Sequence, residues 1–409
     1  MSAADSRPDL SAVIVNYNSA SLARELVHSL RAEMFEGRDG SEGQLEIIVV
    51  ENASPQDEKA ALLALRDEGV EVVFSTQNRG YAGGCNLGFA HARGEHLLIM
   101  NPDVLIVPGA LDAMLGHLRG HPDVGQVGPR GWFDAYRFFY LPSIEIPTVR
   151  GLLRQVRARM SRRRARELSL RRSRSALRVW TATEPLNEEV IAGYGFMMRS
   201  ALARELGPFD EGYPFYFEDS DLSQRIRMRG QRCVLLPCAE MVHFYNKSAG
   251  PVFDEVMRKF AASQCRYFAR HHGPEAELLA ASVPEFVERF GHSLRGWTFA
   301  NAIDLGDCHE PLRLELPRPC TRYLAELTLD PMFSLAVGHI GSGSRFEIPE
   351  GVWDALEPTR FLVRLIDLER FEVLGTWSFQ KTSPIAPVPT YAEFLRIRER
   401  ERESPSAAG

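Results

Sequence analysis

Four short polar stretches interrupt apolar runs in the first 110 residues: Asn16-Tyr17-Asn18, Glu51-Asn52-Ala53-Ser54, Asn78-Arg79-Gly80-Tyr81 and Asn101-Pro102-Asp103. A fifth, Glu218-Asp219-Ser220-Asp221, puts three carboxylates into four positions directly after the aromatic pair Tyr216-Phe217. Carboxylates this close, and desolvated by aromatic neighbours, raise one pKa of the group, which suits a general base. Asp221 has a structural reading as well: with Gln224 three residues on it matches a capping box for a helix over Leu222–Arg229. Asp103 after an apolar strand could hold a hard cation that bridges to phosphates, while Asn-Pro-Asp is equally favoured in plain turns. His243 is a candidate metal ligand if a carboxylate faces it, and otherwise an ordinary core histidine. The glycine-rich run Asn78 to Gly88 could bring backbone N–H groups against a ligand or simply turn a strand into a helix. No G-x-x-x-x-G-K-[ST] and no post-strand G-x-G-x-x-G is present, which weighs against P-loop ATPases and dinucleotide dehydrogenases.

Residues of these kinds need elements to bring them together. Leu10 to Val127 reads as strand and helix in alternation, with strands over Ser11–Val15, Leu45–Val50, Val70–Phe74 and His96–Met100 and helices between them. Strands apolar on both faces predict a parallel or mixed sheet covered on two sides. Ligands of such sheets bind outside the strands' carboxyl ends, where all four early polar stretches fall. A second α/β portion runs from Val190 to His271, with an apolar run at Ile191–Met198 containing Gly193 and Gly195. Beyond Leu294, short alternating runs such as Leu312, Leu314 and Leu316 predict an antiparallel β-sandwich-like domain. Trp353 and Trp377 there are candidates for carbohydrate binding or for core packing. The expected division is a catalytic domain over 1–292 with a basic insert at 149–179, a β-rich domain over 293–385 and a charged tail over 386–409.

The chain has 409 residues, 44% of them hydrophobic, enough for a buried core in one large or two moderate domains. Its net charge of −6 conceals a partition: residues 150–178 hold twelve Arg against one Glu, a local +11 that leaves −17 elsewhere. That balance excludes a general nucleic-acid binder and asks for an anionic partner at the insert alone. No apolar run approaches membrane-spanning length, and Met1–Leu10 lacks a secretory pattern, so the expected location is cytoplasmic. Six scattered cysteines with no C-x-x-C pair are read as free thiols.

Taken in order, the motifs resemble those of family 2 inverting glycosyltransferases, and within them the rhamnosyltransferase-like branch of bacterial polysaccharide assembly. The resemblance covers about Leu10–Gly250 and rests on the stretches above together with Gly193-Tyr194-Gly195-Phe196, Gly207-Pro208-Phe209-Asp210 and Val242-His243. It implies the nucleotide-diphospho-sugar transferase fold, glycosyltransferase-A, and a nucleoside-diphosphate sugar as donor. By the same resemblance Asn16, Asn18, Glu51, Asn78, Gly80 and Asn101 line the nucleotide site. Glu51 stands where the family more often has Asp, and Asn101 occupies the first place of the family's D-x-D motif. Asp103 and His243 match the positions that bind a divalent metal, Mg or Mn. Asp219 matches the catalytic base with Glu218 beside it, while Gly193, Tyr194, Gly195 and Arg225 match the region where sugar and acceptor meet. The implied acceptor is a saccharide or polyprenyl-diphosphate-linked hydroxyl, with rhamnose a candidate sugar. The rival reading is a sugar-binding or scaffold protein that kept the fold without catalysis.

The insert reads as an amphipathic basic helix, with Leu152, Leu153, Val156 and Met160 opposite its arginines. Such a helix suits an anionic membrane surface, and would place the enzyme peripherally on the inner face of the cytoplasmic membrane. A solvated loop is the alternative, and RNA is disfavoured because no aromatics interleave with the arginines.

Overall fold

In the computed structural model, residues 7–244, 253–290 and 302–403 are described. The early alternation forms β1 (Leu10–Asn16), α1 (Ala20–Arg31), β2 (Leu45–Glu51), α2 (Lys59–Asp67), β3 (Glu71–Phe74), α3 (Gly80–His91), β4 (His96–Met100), β5 (Val104–Ile106), α4 (Ala110–Gly120) and β6 (Val124–Trp132). There follow α5 (Val149–Arg159), α6 (Arg162–Trp180), β7 (Leu186–Glu188), β8 (Gly195–Arg199), α7 (Ser200–Leu206), α8 (Glu218–Met228), β9 (Arg232–His243), α9 (Phe253–His272) and α10 (Pro274–Phe290).

Two compact units emerge, and both are discontinuous in sequence. The first draws on residues 1–131, 144–149 and 182–281. Its nine-stranded mixed sheet runs β3-β2-β1-β4-β8-β6-β9-β5, with β7 on β9. The strands β3, β2, β1 and β4 are parallel, and β8 is antiparallel to β4. Two-sided burial follows from the alternation within β1. Ala12 and Ile14 pack with Leu26, Leu30 and Leu111 on one face, whereas Val13 and Val15 pack with Cys85 and Ala82 on the other. The parallel register sets Asn16 beside Glu51, so the polar carboxyl ends of β1 and β2 lie together.

The second unit draws on residues 132–143, 150–181 and 282–409. Its β-rich part joins β10 (Ile303–Cys308), β11 (Arg313–Thr328), β12 (Val337–Glu347), β13 (Arg360–Asp367) and β14 (Glu372–Lys381) into one sheet, in the order β10-β14-β13-β11-β12. Register breaks on β11 around Cys320 let its two halves, Leu314 and Leu316 in one and Tyr323, Ala325 and Leu327 in the other, share a core. Trp353 and Trp377 belong to that core and are buried, which settles them as packing residues. The expected boundary at 292–293 lies outside the described residues, as does the end of the charged tail; the rest of the tail includes a helix over Tyr391–Glu403.

The basic segment, expected as an insert within the first domain, is grouped with the C-terminal sheet and not with the residues that flank it in sequence. It is two helices, and the apolar face of α6 is already occupied. Ala176 and Trp180 pack against Leu324 and Ile366, and the Trp180 indole donates to the Leu141 carbonyl at 2.8 Å. Beneath the helix, the buried Arg364 guanidinium donates to Glu326 (2.6 Å) and to the hydroxyls of Ser169 (2.8 Å) and Ser173 (3.1 Å). A buried charge pair with its remaining hydrogen-bond capacity satisfied fixes position more than it adds stability. The arginines at 150, 154, 157, 159, 163, 164 and 166 are exposed, and with them Leu153 and Met160, while Arg174, also exposed, lies over the Phe371 ring at 4.1 Å.

Candidate active site

Three chain segments of the first unit converge on the Gly193-Tyr194-Gly195 run. The Asp219 carboxylate accepts from the Gly193 N–H at 3.1 Å, while the Tyr194 carbonyl accepts from the Asn101 N–H at 3.0 Å. The Tyr194 ring stacks on His243, with centroids 5.2 Å apart and planes 18° from parallel. One tripeptide therefore touches the expected base, the Asn-Pro-Asp turn and the expected metal ligand.

Local structure at the base differs from the capping-box expectation. α8 begins at Glu218, four residues earlier than read, after two successive residues in the left-handed region, Tyr216 (φ 63) and Phe217 (φ 70). Non-glycine residues held there cost on the order of 1–3 kcal/mol each and persist where surrounding packing imposes them. Here the packing is aromatic: Phe217 lies 5.1 Å from Phe260 and 5.7 Å from Tyr267. The turn they make places Glu218 and Asp219 in the first turn of the helix, where N–H dipoles favour negative charge. Asp221 is thus inside the helix and caps nothing. Its carboxylate accepts from Arg225 Nε (2.7 Å), His271 Nε2 (2.8 Å) and the Tyr213 hydroxyl (3.3 Å), tying α8 to α9.

The two remaining carboxylates differ in their partners. Asp219 accepts from the Gly193 N–H, the Ser220 N–H (2.6 Å) and the Ser220 hydroxyl (3.2 Å). Burial raises the pKa of both Glu218 and Asp219; the nearby Asp219 charge adds to the rise at Glu218, and the hydrogen bonds oppose it at Asp219. Of the pair, Asp219 therefore loses its proton more readily, and Glu218, pushed up to about 8, holds its own. A carboxylate of raised pKa is a stronger base than an ordinary one and, once deprotonated, is suited to accept a proton.

At the Asn-Pro-Asp turn, antiparallel pairing sets Val104 opposite His243 and brings Asp103 Oδ1 to 3.2 Å from His243 Nε2. The Asn101 side-chain amide lies 3.4 Å from the same ring nitrogen. Asp103 is buried, and no third His, Cys, Asp or Glu joins the pair among the described residues. One carboxylate oxygen and one imidazole nitrogen fit Mg or Mn, which commonly complete their shell with substrate phosphate oxygens and water. Sequence spacing could not show this pair, since 140 residues separate its members and only the β5–β9 register brings them together.

The nucleotide candidates divide into those that face outward and those that hold them. Asn16 is fully buried: its amide donates to Glu51 (2.5 Å) and Glu58 (2.8 Å), and its oxygen accepts from Ser19 (3.1 Å). Both amide donations of Asn16 are thus made within the protein, which leaves its side-chain oxygen for the expected nucleotide contact. Glu51 accepts from Asn16 and from the Ser54 N–H (2.6 Å), which shapes the turn after β2. Asn18, in the left-handed region at φ 54, accepts from the Gln56 N–H at 3.2 Å. Asn78 is exposed; its side-chain oxygen accepts from the Gly80 N–H at 2.8 Å.

Two residues of this region were not singled out from sequence. Asn52 locks the 78–80 turn by donating to Asn78 and to the Gly80 carbonyl while accepting from the Arg79 N–H. Glu58 ties down the first turn of α1 through the Ser19 and Ala20 N–H groups. A signal for Asn52 was present in its place beside Glu51 at a strand end; Glu58, within a charged run, offered none.

Glycines 83, 84 and 88 sit within α3, so they do not form the ligand cradle that their run suggested. A Cβ on Gly84 would come 2.7 Å from Val15, and one on Gly88 2.4 Å from Val13. Gly84 and Gly88 let the helix lie directly on β1. Arg225, expected near the acceptor, is likewise engaged by the protein. Besides Asp221, its guanidinium donates to the carbonyls of Leu206 (3.0 Å), Gly207 (2.8 Å) and Pro208 (2.9 Å).

Comparison with known proteins gives a family match. Residues 11–204 match the model of glycosyl transferase family 2. An N-acetylglucosaminyl-diphospho-decaprenol L-rhamnosyltransferase of Mycobacterium tuberculosis is 29% identical over 159 residues, 38% of this chain and 49% of that protein. The succinoglycan biosynthesis protein ExoO of Rhizobium meliloti is 30% identical over 114 residues, 28% of this chain and 30% of its own. The chain thus spans half or less of the length of the curated relatives it matches. Among solved structures, a mannosyltransferase of Pyrobaculum calidifontis in complex with GDP-Man and Mn2+ is 19% identical with a TM-score of 0.44, over 73% of this chain and 77% of that one. The family match, the mixed sheet and the second, C-terminal sheet bear out the expected glycosyltransferase-A architecture with a β-rich domain.

Proposed function

Given that residues 11–204 carry a glycosyl transferase family 2 domain, we propose that this protein is an inverting glycosyltransferase of surface-polysaccharide assembly. It moves a sugar, with rhamnose the first candidate, from a nucleoside-diphosphate donor to a hydroxyl of a saccharide or polyprenyl-diphosphate-linked acceptor. The observation that carries the reading is the single tripeptide Gly193–Gly195, in contact with the Asp219 carboxylate and with both the Asn101 backbone and the His243 ring.

In this reading Asp219 takes the proton of the acceptor hydroxyl as its oxygen bonds to the anomeric carbon, and the bond from that carbon to the diphosphate breaks on the opposite face. Attack from that side inverts the centre. Glu218, protonated beside it, lets the site hold two acids without two adjacent charges. Asp103 and His243 would hold a divalent ion, which supplies neutralising charge for the leaving diphosphate. Asn78 and Gly80 line the nucleotide side, and Asn52 keeps their turn in shape. The test is a panel of nucleoside-diphosphate sugars with a lipid-linked disaccharide acceptor, with the product's anomeric configuration read by NMR. Donor-dependent transfer with inversion is expected; retention of configuration would refute the base role, and donor binding without turnover on any acceptor would favour the non-catalytic sugar-binding protein.

The arginine face of α5 and α6 supports a peripheral position on an anionic membrane. Because the apolar face of α6 is buried on its own sheet, attachment is electrostatic, at about 1 kcal/mol per arginine near the surface. Replacing Arg159, Arg164 and Arg166 by Glu is expected to lower affinity for phosphatidylglycerol vesicles by at least roughly 100-fold. Sedimentation with phosphatidylcholine vesicles and with added salt provides the control. Binding indifferent to lipid charge or salt would rule this attachment out.

A further inference from the structure

Tyr81, at the start of α3, has no role in the assignments above, yet it reaches the centre of the site. Its hydroxyl donates to the Gly193 carbonyl at 3.0 Å, and the N–H of the same glycine donates to Asp219 Oδ2 at 3.1 Å. Residue 193 is therefore held on one side by α3 and engaged on the other by α8. How far the phenol reaches depends on how deeply α3 lies, and that depth is set by Gly84 and Gly88, whose hydrogens meet Val15 and Val13 where a methyl group would collide. The Tyr81 ring is steadied against Phe209, at a centroid distance of 6.0 Å. Burial, with Cys85 and the acidic pair nearby, pushes the phenol's pKa well up, so it keeps its proton and donates.

Resting on the base role proposed for Asp219, we propose that Tyr81 is a positioning residue: by fixing Gly193 it keeps that glycine's N–H on the Asp219 carboxylate and aims the carboxylate at the acceptor hydroxyl. Among the described residues, the groups that face Asp219 include Glu218 beside it, Tyr81 from α3 with Cys85 behind, and Tyr267 from α9. Loss of the Gly193 hydrogen bond would make the charged form of Asp219 less favoured. The placement also links two halves of the site, since Tyr81 directly follows the Asn78–Gly80 turn that lines the nucleotide side. A donor that orders this turn orders the start of α3, and with it the hydroxyl that holds residue 193.

Tyr81→Phe removes the hydroxyl and keeps the ring. Measured at saturating acceptor across pH, kcat is expected to fall roughly 10- to 100-fold, the scale of a small misplacement of a reacting group. The donor KM should stay within about twofold, and the acidic limb of the kcat profile should move to higher pH. An unchanged kcat and profile, or a loss confined to donor KM, would overturn the positioning role. Asp219→Asn assayed alongside separates the two ideas: inactive Asp219→Asn with normal Tyr81→Phe overturns positioning alone, whereas an active Asp219→Asn overturns the base on which it rests.

Discussion

Asp219→Asn is expected to abolish sugar transfer while donor binding remains within a few-fold of the parent. General-base assistance contributes about 10²- to 10⁴-fold, and a sugar hydroxyl is a weak enough nucleophile to need it. The substitution leaves volume unchanged, but Asp219 meets N–H donors at both oxygens, from Gly193 and from Ser220. An amide offers one oxygen, so one of those donors would face an NH2 group. The variant must therefore be shown to bind donor, by displacement of a fluorescent nucleotide, before its lost turnover is assigned to chemistry. In the parent, the raised pKa of Asp219 places the rise of kcat with pH above the ordinary carboxylate range, because the base works only once deprotonated. Sustained turnover by Asp219→Asn would remove the residue from the mechanism.

The second large effect is expected at Asp103. Asp103→Ala takes away the carboxylate that lies 3.2 Å from His243 and leaves one protein donor in place of two. Loss of an outer-shell partner of a metal site costs roughly 10- to 100-fold in affinity, and loss of a ligand should cost no less. Nucleoside diphosphate binding in the presence of Mn2+ is expected to weaken by at least that factor, while binding in the presence of chelator changes little. Calorimetric titration with and without Mn2+ reads both arms. A metal dependence identical to the parent's would show that the pair is structural.

Much of the first unit is legible in its chain because local pattern and fold agree there. β4 spans the residues expected, His96–Met100, and β1 and β2 differ from the expected strands only at their ends, since short β-branched runs between turn residues admit few alternatives. Where the reading missed, a long-range contact decided. The glycines of α3 look like a loop in sequence; their purpose, close approach to Val13 and Val15, exists only once the sheet is formed. α8 starts early because Phe260 and Tyr267, forty and more residues downstream, hold Tyr216 and Phe217 in an unfavourable backbone region that propensity argues against. Asn16 is polar and at a strand end, which is where ligand contacts are sought, and only the position of Glu58 reveals that its amide is already engaged. The motif resemblance named the candidate residues, and the β5–β9 register and the Gly193 peptide determine which of them meet.

The docking of α6 onto the C-terminal sheet has a consequence in time. A ribosome releases residues 150–181 well before Leu324, Glu326, Arg364 and Ile366, so the helix spends the intervening synthesis without the surface that covers Ala176 and Trp180. Those residues form contacts separated by about 150–190 positions, and loops that long close late. The emerging chain therefore carries an unfinished arginine-rich pair of helices until the last strands arrive. In the proposed peripheral placement, those arginines would meet anionic lipid on the nascent chain as well as on the finished protein.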